Sequence, residues 1–277
     1  MAVKIAIVGM GLIGGSLGLA LKQRTNYTVI GIDCDSSVID AVMSSGAADK
    51  TGAQHLNQAD LIIIAISPKA TVDFLKEHAA NLRPGAIVTD VCGVKRQIMK
   101  NCVPLCRDRG LYFVGGHPMA GRERGGFANA DARLFEDAYY ILTPPDGTPG
   151  HVLELLKQVA MQIGCAGVTV TTPEQHDKMI AFTSQLPHVL AGAYVNSPNC
   201  SGHFGFSAGS YRDVSRVATV DEALWSQLFL LNADNLCFEI DTLISNLKQY
   251  RDAVAAGNTQ LISEILREGR VRKENFG

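Results

Sequence analysis

The chain has 277 residues, 47% hydrophobic and 19% charged, with 25 Lys and Arg against 27 Asp and Glu for a formal charge of −2. That length accommodates two domains with a sizeable core, and the composition excludes a disordered, collagen-like or low-complexity chain. The balanced charge leaves no basic footprint for nucleic acid or an anionic membrane, so any anion must be held locally.

The first apolar run, Ile5 to Leu21 after Lys4, imitates a secretory signal, but Gly9, Gly11, Gly14, Gly15 and Gly18 interrupt it. No other stretch reaches the roughly 18 apolar residues of a membrane helix. The glycine spacing suits another purpose. Gly9-Met10-Gly11-Leu12-Ile13-Gly14 matches GxGxxG between a strand (Val3 to Gly9) and a helix, and Asp33 ends the next strand (Thr28 to Asp33) about 20 residues on. In this setting Gly9 makes the tight turn, Gly11 lets a pyrophosphate approach the backbone, and Gly14 allows close helix-sheet contact. The helix start at Leu12 and Ile13 supplies amide donors and a partial positive charge. Asp33 can accept ribose hydroxyls but would repel the extra phosphate of NADP. Cys34, Asp35, Ser36 and Ser37 provide no arginine to hold that phosphate, so NAD is the expected cofactor.

Further β-branched runs follow at Leu61 to Ser67, Ala86 to Val91 and Tyr112 to Gly116, with helical segments between them. Their continuous apolar character suits parallel strands covered on both faces. Pro68 is placed to open a helix, and Ser67, Pro68 and Gly93, beyond the carboxyl ends of their strands, are candidates for the cofactor wall. Tyr139 to Leu142 and Gly167 to Thr171 read as later, edge strands. After Thr172 the pattern turns helical, and Trp225, Phe229, Asn232, Leu236, Ile240, Leu243, Leu247, Tyr250 and Val254 recur at spacings of three and four. That stripe predicts one long amphipathic helix, open to a break, facing its own core or a second subunit. The expected architecture is therefore α/β: a Rossmann-type doubly wound parallel sheet over residues 1–170, then an all-α domain over 171–277. The seven cysteines are scattered without a CxxC pair, which points to reduced thiols in a cytoplasm and to no metal site.

His117 stands just beyond the Tyr112 to Gly116 strand, on the side where open α/β sheets bind ligands. A histidine there can take the proton of a hydroxyl as hydride leaves. Ser184 and His188 lie four residues apart on the helix after Pro173 and can face one cleft, with Pro187 expected to kink the helix between them.

The motif GGHPMAGRERGGF (Gly115 to Phe127), the downstream Leu134-Phe135 and ILTP from Ile141, PEQHDKMIAFTSQLPH (Pro173 to His188) and DVSR ending at Arg216 resemble the prephenate/arogenate dehydrogenase family of tyrosine biosynthesis. The match runs in order along nearly the whole chain. The resemblance implies oxidative decarboxylation of prephenate to 4-hydroxyphenylpyruvate with NAD, His117 as base, and Arg216 holding a substrate carboxylate through its planar fork. It also implies substrate roles for Ser184, Gln185, His188 and Glu123, and a homodimer through the helical domain. Arg216 equally fits a surface ion pair with Asp213, and Glu123 a solvated loop acid. His176 and Asp177 match a paired motif of the family, but fit a helix N-terminal cap equally well and are left outside the expected site. Two positions depart from the family pattern: Gly93 stands where many members carry serine, and Gln185 replaces a histidine. Arogenate, another hydroxyacid substrate, or NAD sensing without turnover are the alternatives. The near-neutral charge and lack of a helix-turn-helix argue against the last.

Overall fold

The computed structural model describes residues 3–122 and 124–276. The nucleotide-type half alternates strands and helices: β1 Lys4–Val8, α1 Leu12–Arg24, β2 Thr28–Ile32, α2 Ser36–Ser45, β3 Lys50–Thr51, β4 Leu61–Ile64, α3 Pro68–His78, β5 Ile87–Asp90, α4 Arg96–Arg107, β6 Tyr112–Pro118, β7 Tyr139–Thr143, α5 Gly150–Gln162 and β8 Gly167–Val170. Among the described residues these strands form one sheet in the order β3-β2-β1-β4-β5-β6-β7-β8. Every neighbouring pair is parallel except β6 with β7. The order reverses between β1 and β4, which creates the crevice where such sheets bind ligands.

Alternation along the strands splits the core into two layers. Ile5 and Ile7 of β1 join Leu17, Val29, Val42 and Leu142 on one face, while Ala6 and Val8 join Ile30, Ile62, Val88 and Phe113 on the other. Each fully buried Ile, Leu or Val stabilises this arrangement by roughly 1.5–3 kcal/mol. All the strands expected from the sequence form. The two-residue β3 is an additional edge strand, too short to show a pattern. β7 departs from expectation: it sits between β6 and β8, so of these two later strands β8 alone is an edge.

The remaining chain is helical: α6 Pro173–Ile180, a π-turn at Ala181–Gln185, α7 Leu186–Val195, α8 Gly209–Ser215, a 3-10 turn at Arg216–Ala218, α9 Glu222–Leu231, α10 Ala233–Ala255 and α11 Thr259–Phe276. The long stripe breaks at Asn232 (φ −128°, ψ 28°), whose side chain turns inward to donate to the Asp177 carbonyl and the Gln185 amide oxygen, both at 2.8 Å. A buried polar residue with these partners ends α9 and restarts the chain as α10. Pro187 falls in the first turn of α7, where proline is tolerated, and the distortion expected from it is the π-turn before it.

Candidate active site

The chain reverses between β1 and α1 through Gly9, whose φ of +87° suits glycine. A Cβ there would lie 2.4 Å from Ile66 Cγ2 and 2.5 Å from the Ala65 carbonyl oxygen. At Gly14 a Cβ would stand 1.8 Å from the Gly9 carbonyl oxygen, so α1 and the turn touch backbone to backbone. Gly11 differs: nothing lies within 4 Å of its added Cβ. The space over the start of α1 is therefore open, and Gly11 caps that helix without a side-chain bond to its first amides. Leu12 and Ile13 carry two of those amides.

Asp33, just past β2, accepts from the Met10 amide at 2.8 Å and the Asp35 amide at 3.0 Å, one through each oxygen. Its carboxylate is thus fixed against the glycine turn, with lone pairs left for hydroxyls. Ser67 caps α3 through its carbonyl, which accepts from Thr71 N (2.9 Å) and Thr71 Oγ1 (3.0 Å), while its hydroxyl makes no cap bond. Pro68 is the first residue of α3 and is buried. An open glycine cradle, uncapped helix amides and a fixed carboxylate are together the fittings of a dinucleotide site.

The second half of the site begins at the buried end of β5. Asp90 and Lys95 are both inaccessible to solvent and form an ion pair; Asp90 also accepts from the Cys92 amide at 2.9 Å and the Gly116 amide at 3.2 Å. This carboxylate fixes the strand immediately before His117. Cys92 is a buried small residue, not a nucleophile. Desolvation and the Asp90 charge push its thiol pKa far up.

His117 is half-buried at the end of β6, and its Nδ1 meets His176 Nε2 at 2.9 Å. His176 Nδ1 in turn meets Asp177 Oδ1 at 2.7 Å, and both of these α6 residues are buried. Asp177 also accepts from the amides of Lys95 (2.7 Å) and Arg96 (3.0 Å) at the start of α4. Arg96 extends its guanidinium from α4 to Asp177, Asp234 and Asn232, tying the sheet domain to α6 and α10. Burial raises the Asp177 pKa, but donation from His176, Arg96 and Lys95 outweighs that and holds it below the usual carboxylate value. Burial first, then His176 and Lys95, hold His117 well below 6.5. Burial also lowers His176, against the opposing pull of Asp177. Both shifts favour the neutral imidazole.

The cap expected for His176 and Asp177 belongs instead to Thr172, whose hydroxyl accepts from the Gln175 amide at 3.2 Å. The paired residues lie a full turn inside the helix, too deep to cap it, and that depth was the available signal for another role. Gln185 is also placed differently from expectation. It is 1% exposed, donates to the Leu228 carbonyl at 3.1 Å and accepts from Asn232, so its amide braces α9 against the π-turn with both polar atoms engaged inside the protein.

Above His117, a Cβ added to Gly93 in the β5-α4 turn would meet Leu228 of α9 at 3.5 Å and His117 Nε2 at 4.0 Å. One turn earlier on α9, Trp225 stacks on His188 with ring centroids 3.7 Å apart. His188 Nδ1 donates to the Ser184 carbonyl of the π-turn at 2.8 Å, leaving Nε2 as acceptor. Desolvation lowers the His188 pKa; the Ser184 carbonyl opposes this, and the positive charge of Arg216 adds to it. Arg216, exposed in its 3-10 turn, is thus electrostatically near His188. Gly93 thus adjoins His117 and Leu228, while His188 adjoins Trp225 and feels the charge of Arg216, with Leu228 and Trp225 one turn apart on α9; Glu123 lies outside the described residues. Among the described residues no group of His, Cys, Asp and Glu could hold a metal ion.

Two family models match the chain: the nucleotide-binding domain of prephenate dehydrogenase over residues 17–169 and its dimerization domain over residues 172–268. The prephenate dehydrogenase of Bacillus subtilis (strain 168) is 32% identical over 260 residues, covering 90% of this chain and 70% of the relative. The crystal structure of Aquifex aeolicus prephenate dehydrogenase in complex with hydroxyphenyl propionate and NAD+ superposes with a TM-score of 0.87 at 26% identity, over 100% of this chain and 99% of that one. Synechocystis arogenate dehydrogenase gives a TM-score of 0.83 at 26% identity, over 99% of this chain and 100% of that one.

Proposed function

The chain belongs to the prephenate dehydrogenase family, and from that premise we propose that it oxidatively decarboxylates prephenate to 4-hydroxyphenylpyruvate, with NAD as cofactor. The observation that carries this reading is the placement of His117. A ring held from behind by a buried partner has its Nε2 beside Gly93, where Leu228 of the helical domain also approaches.

Gly9, Gly11 and Gly14 with the amides of Leu12 and Ile13 would hold the cofactor's pyrophosphate, Asp33 its ribose hydroxyls, and Ser67, Pro68 and Gly93 the adjoining wall. When bound, NAD would supply the hydride acceptor for C4 of the substrate ring. His117 takes the proton of the C4 hydroxyl, so that the O–H electron pair becomes the new carbonyl bond. Loss of CO2 from the opposite ring carbon returns electrons through the ring to that oxygen, and His117 gives the proton back to it. Arg216 holds a substrate carboxylate, with Ser184 and His188 as further substrate contacts.

We place the boundary of the nucleotide domain at residue 170, with the helical domain at 171–277 binding substrate and pairing two copies. Exposed Phe238, Leu247, Val254 and Leu266 on α10 and α11 support that homodimer. Seven free cysteines and, among the described residues, no helix long and apolar enough to cross a membrane are consistent with a cytoplasmic enzyme of small molecules, without a nucleic-acid or membrane partner.

The test is nicotinamide absorbance with prephenate or arogenate, each with NAD and with NADP. A rise with prephenate and NAD alone is the expected result. A rise with arogenate alone would move the substrate assignment, and no rise in any of the four would overturn the function.

A further inference from the structure

The reaction assigned above needs a bare ring nitrogen on His117, and a histidine by itself offers two tautomers. The choice is made by residues that the chemistry never touches. Asp177 is a carboxylate with both oxygens occupied by donors: Oδ1 by the Lys95 amide and His176 Nδ1, and Oδ2 by the amide and side chain of Arg96. It can only accept, so His176 Nδ1 carries the hydrogen. The neutral His176 ring then has its lone pair on Nε2 and accepts from His117 Nδ1 at 2.9 Å. His117 Nε2 is thereby left without a hydrogen, and among the described residues it makes no hydrogen bond of its own.

We propose that His176 and Asp177 are positioning residues that set His117 as a base through a buried Asp177–His176–His117 relay spanning the two domains. The inference rests on the functional reading above. As the substrate O–H bond breaks and the Nε2–H bond forms, the positive charge appearing on His117 is met by the acceptor nitrogen of His176. The Asp177 carboxylate behind it supports that acceptor without taking the proton, the same division of labour as in a carboxylate–histidine pair. His117 lies on β6, whereas His176 and Asp177 lie on α6, with Asp177 seated on the amides at the start of α4. The base is therefore set only when the domains are docked, and the Arg96 contacts to Asp177, Asp234 and Asn232 are the latch that keeps them so.

Two measurements test the relay, and the first does not depend on turnover. Long-range proton–nitrogen correlation spectra of the intact wild-type protein carrying 15N-histidine should show His117 protonated at Nδ1 and bare at Nε2, with His176 in the same tautomer. A proton on His117 Nε2 would overturn the proposal. In the second, His176→Leu should lose about 10²-fold in kcat while KM and the NAD dissociation constant stay within about twofold. His176→Gln, whose amide oxygen can accept the same N–H, should recover to within about tenfold of wild type. A His176→Leu enzyme with unchanged kcat, or one that loses only in KM, contradicts the relay. Wild-type protein inactive on prephenate would instead overturn the functional reading, and the ring spectrum would still decide the relay.

Discussion

The glycine turn and the histidine relay lie on the same side of one sheet but are built in opposite ways. The turn is made by consecutive residues of a single strand-turn-helix unit. Its exclusions are backbone against backbone, as at Gly14 over the Gly9 carbonyl. The relay joins His117 to a partner 59 residues later, and Asp177 to an amide 82 residues earlier. The first can form as soon as β1 and α1 meet. The second exists only after the helical domain has docked, so on the proposed assignments cofactor binding and proton transfer would rest on parts of the fold that can fail separately.

The sharpest way to break the pairing is at the base. His117→Asn should lower turnover by roughly 10² to 10⁴ while leaving NAD affinity within about twofold of wild type, because the glycine turn does not depend on β6. Steady-state kinetics beside a fluorescence titration of NAD would show it. Near-normal turnover would remove His117 from the chemistry, and a parallel loss of NAD affinity would join the two regions.

Gly14→Ala is the complementary variant. Its methyl has no room beside the Gly9 carbonyl oxygen, and relieving such overlap costs about 1–3 kcal/mol. NAD should bind roughly 10- to 100-fold more weakly while the His117 tautomer, read by nitrogen correlation, stays as in wild type. Unchanged NAD affinity would mean that the turn can relax without cost.

Acid should act on the relay before the turn. His117 faces His176 and Lys95; His176 faces Asp177, Lys95 and Asp90. Both rings have pKa values below the ordinary 6.5, so the unfolded chain binds protons there that the folded chain refuses. Stability from this source is present above pH 6.5 and is lost as pH falls below it, by at most about 1.4 kcal/mol per pH unit for each ring. Calorimetric Tm values between pH 7.5 and 5.5 should fall more steeply for wild type than for His117→Asn. Parallel curves would contradict the burial argument.

The smallest effect is expected at Gly93→Ser. The added Cβ meets only ordinary contacts with Leu228, and the hydroxyl comes within reach of His117 Nε2. One such hydrogen bond is worth about 0.5–1.5 kcal/mol, so kcat should move by less than about tenfold with Tm nearly unchanged. A large loss of stability would mean that α9 sits closer to the turn than described.

The difference between the regions also explains what could be read from the chain alone. The strands of the sheet, the turn at Gly9, the close helix contact at Gly14 and Pro68 at a helix start are local patterns, and each is legible. β3 is not, since two residues show no alternation. The break at Asn232 was hidden because the residue falls on the apolar stripe, and its inward turn depends on Asp177 and Gln185 from another helix. His176 and Asp177 looked like a cap because their true partners are dozens of residues away. Gln185 looked like a substrate ligand for the same reason, its amide being used by Leu228 and Asn232. Periodicity reveals which face of a helix is buried, but not which distant polar group meets it there.

The most direct measurement is carbon dioxide release recorded alongside nicotinamide reduction, with purified protein, prephenate and NAD. The account predicts one CO2 for each nicotinamide reduced, and both lost together in His117→Asn. Reduction without CO2 release, or release that persists at full rate in His117→Asn, would contradict it.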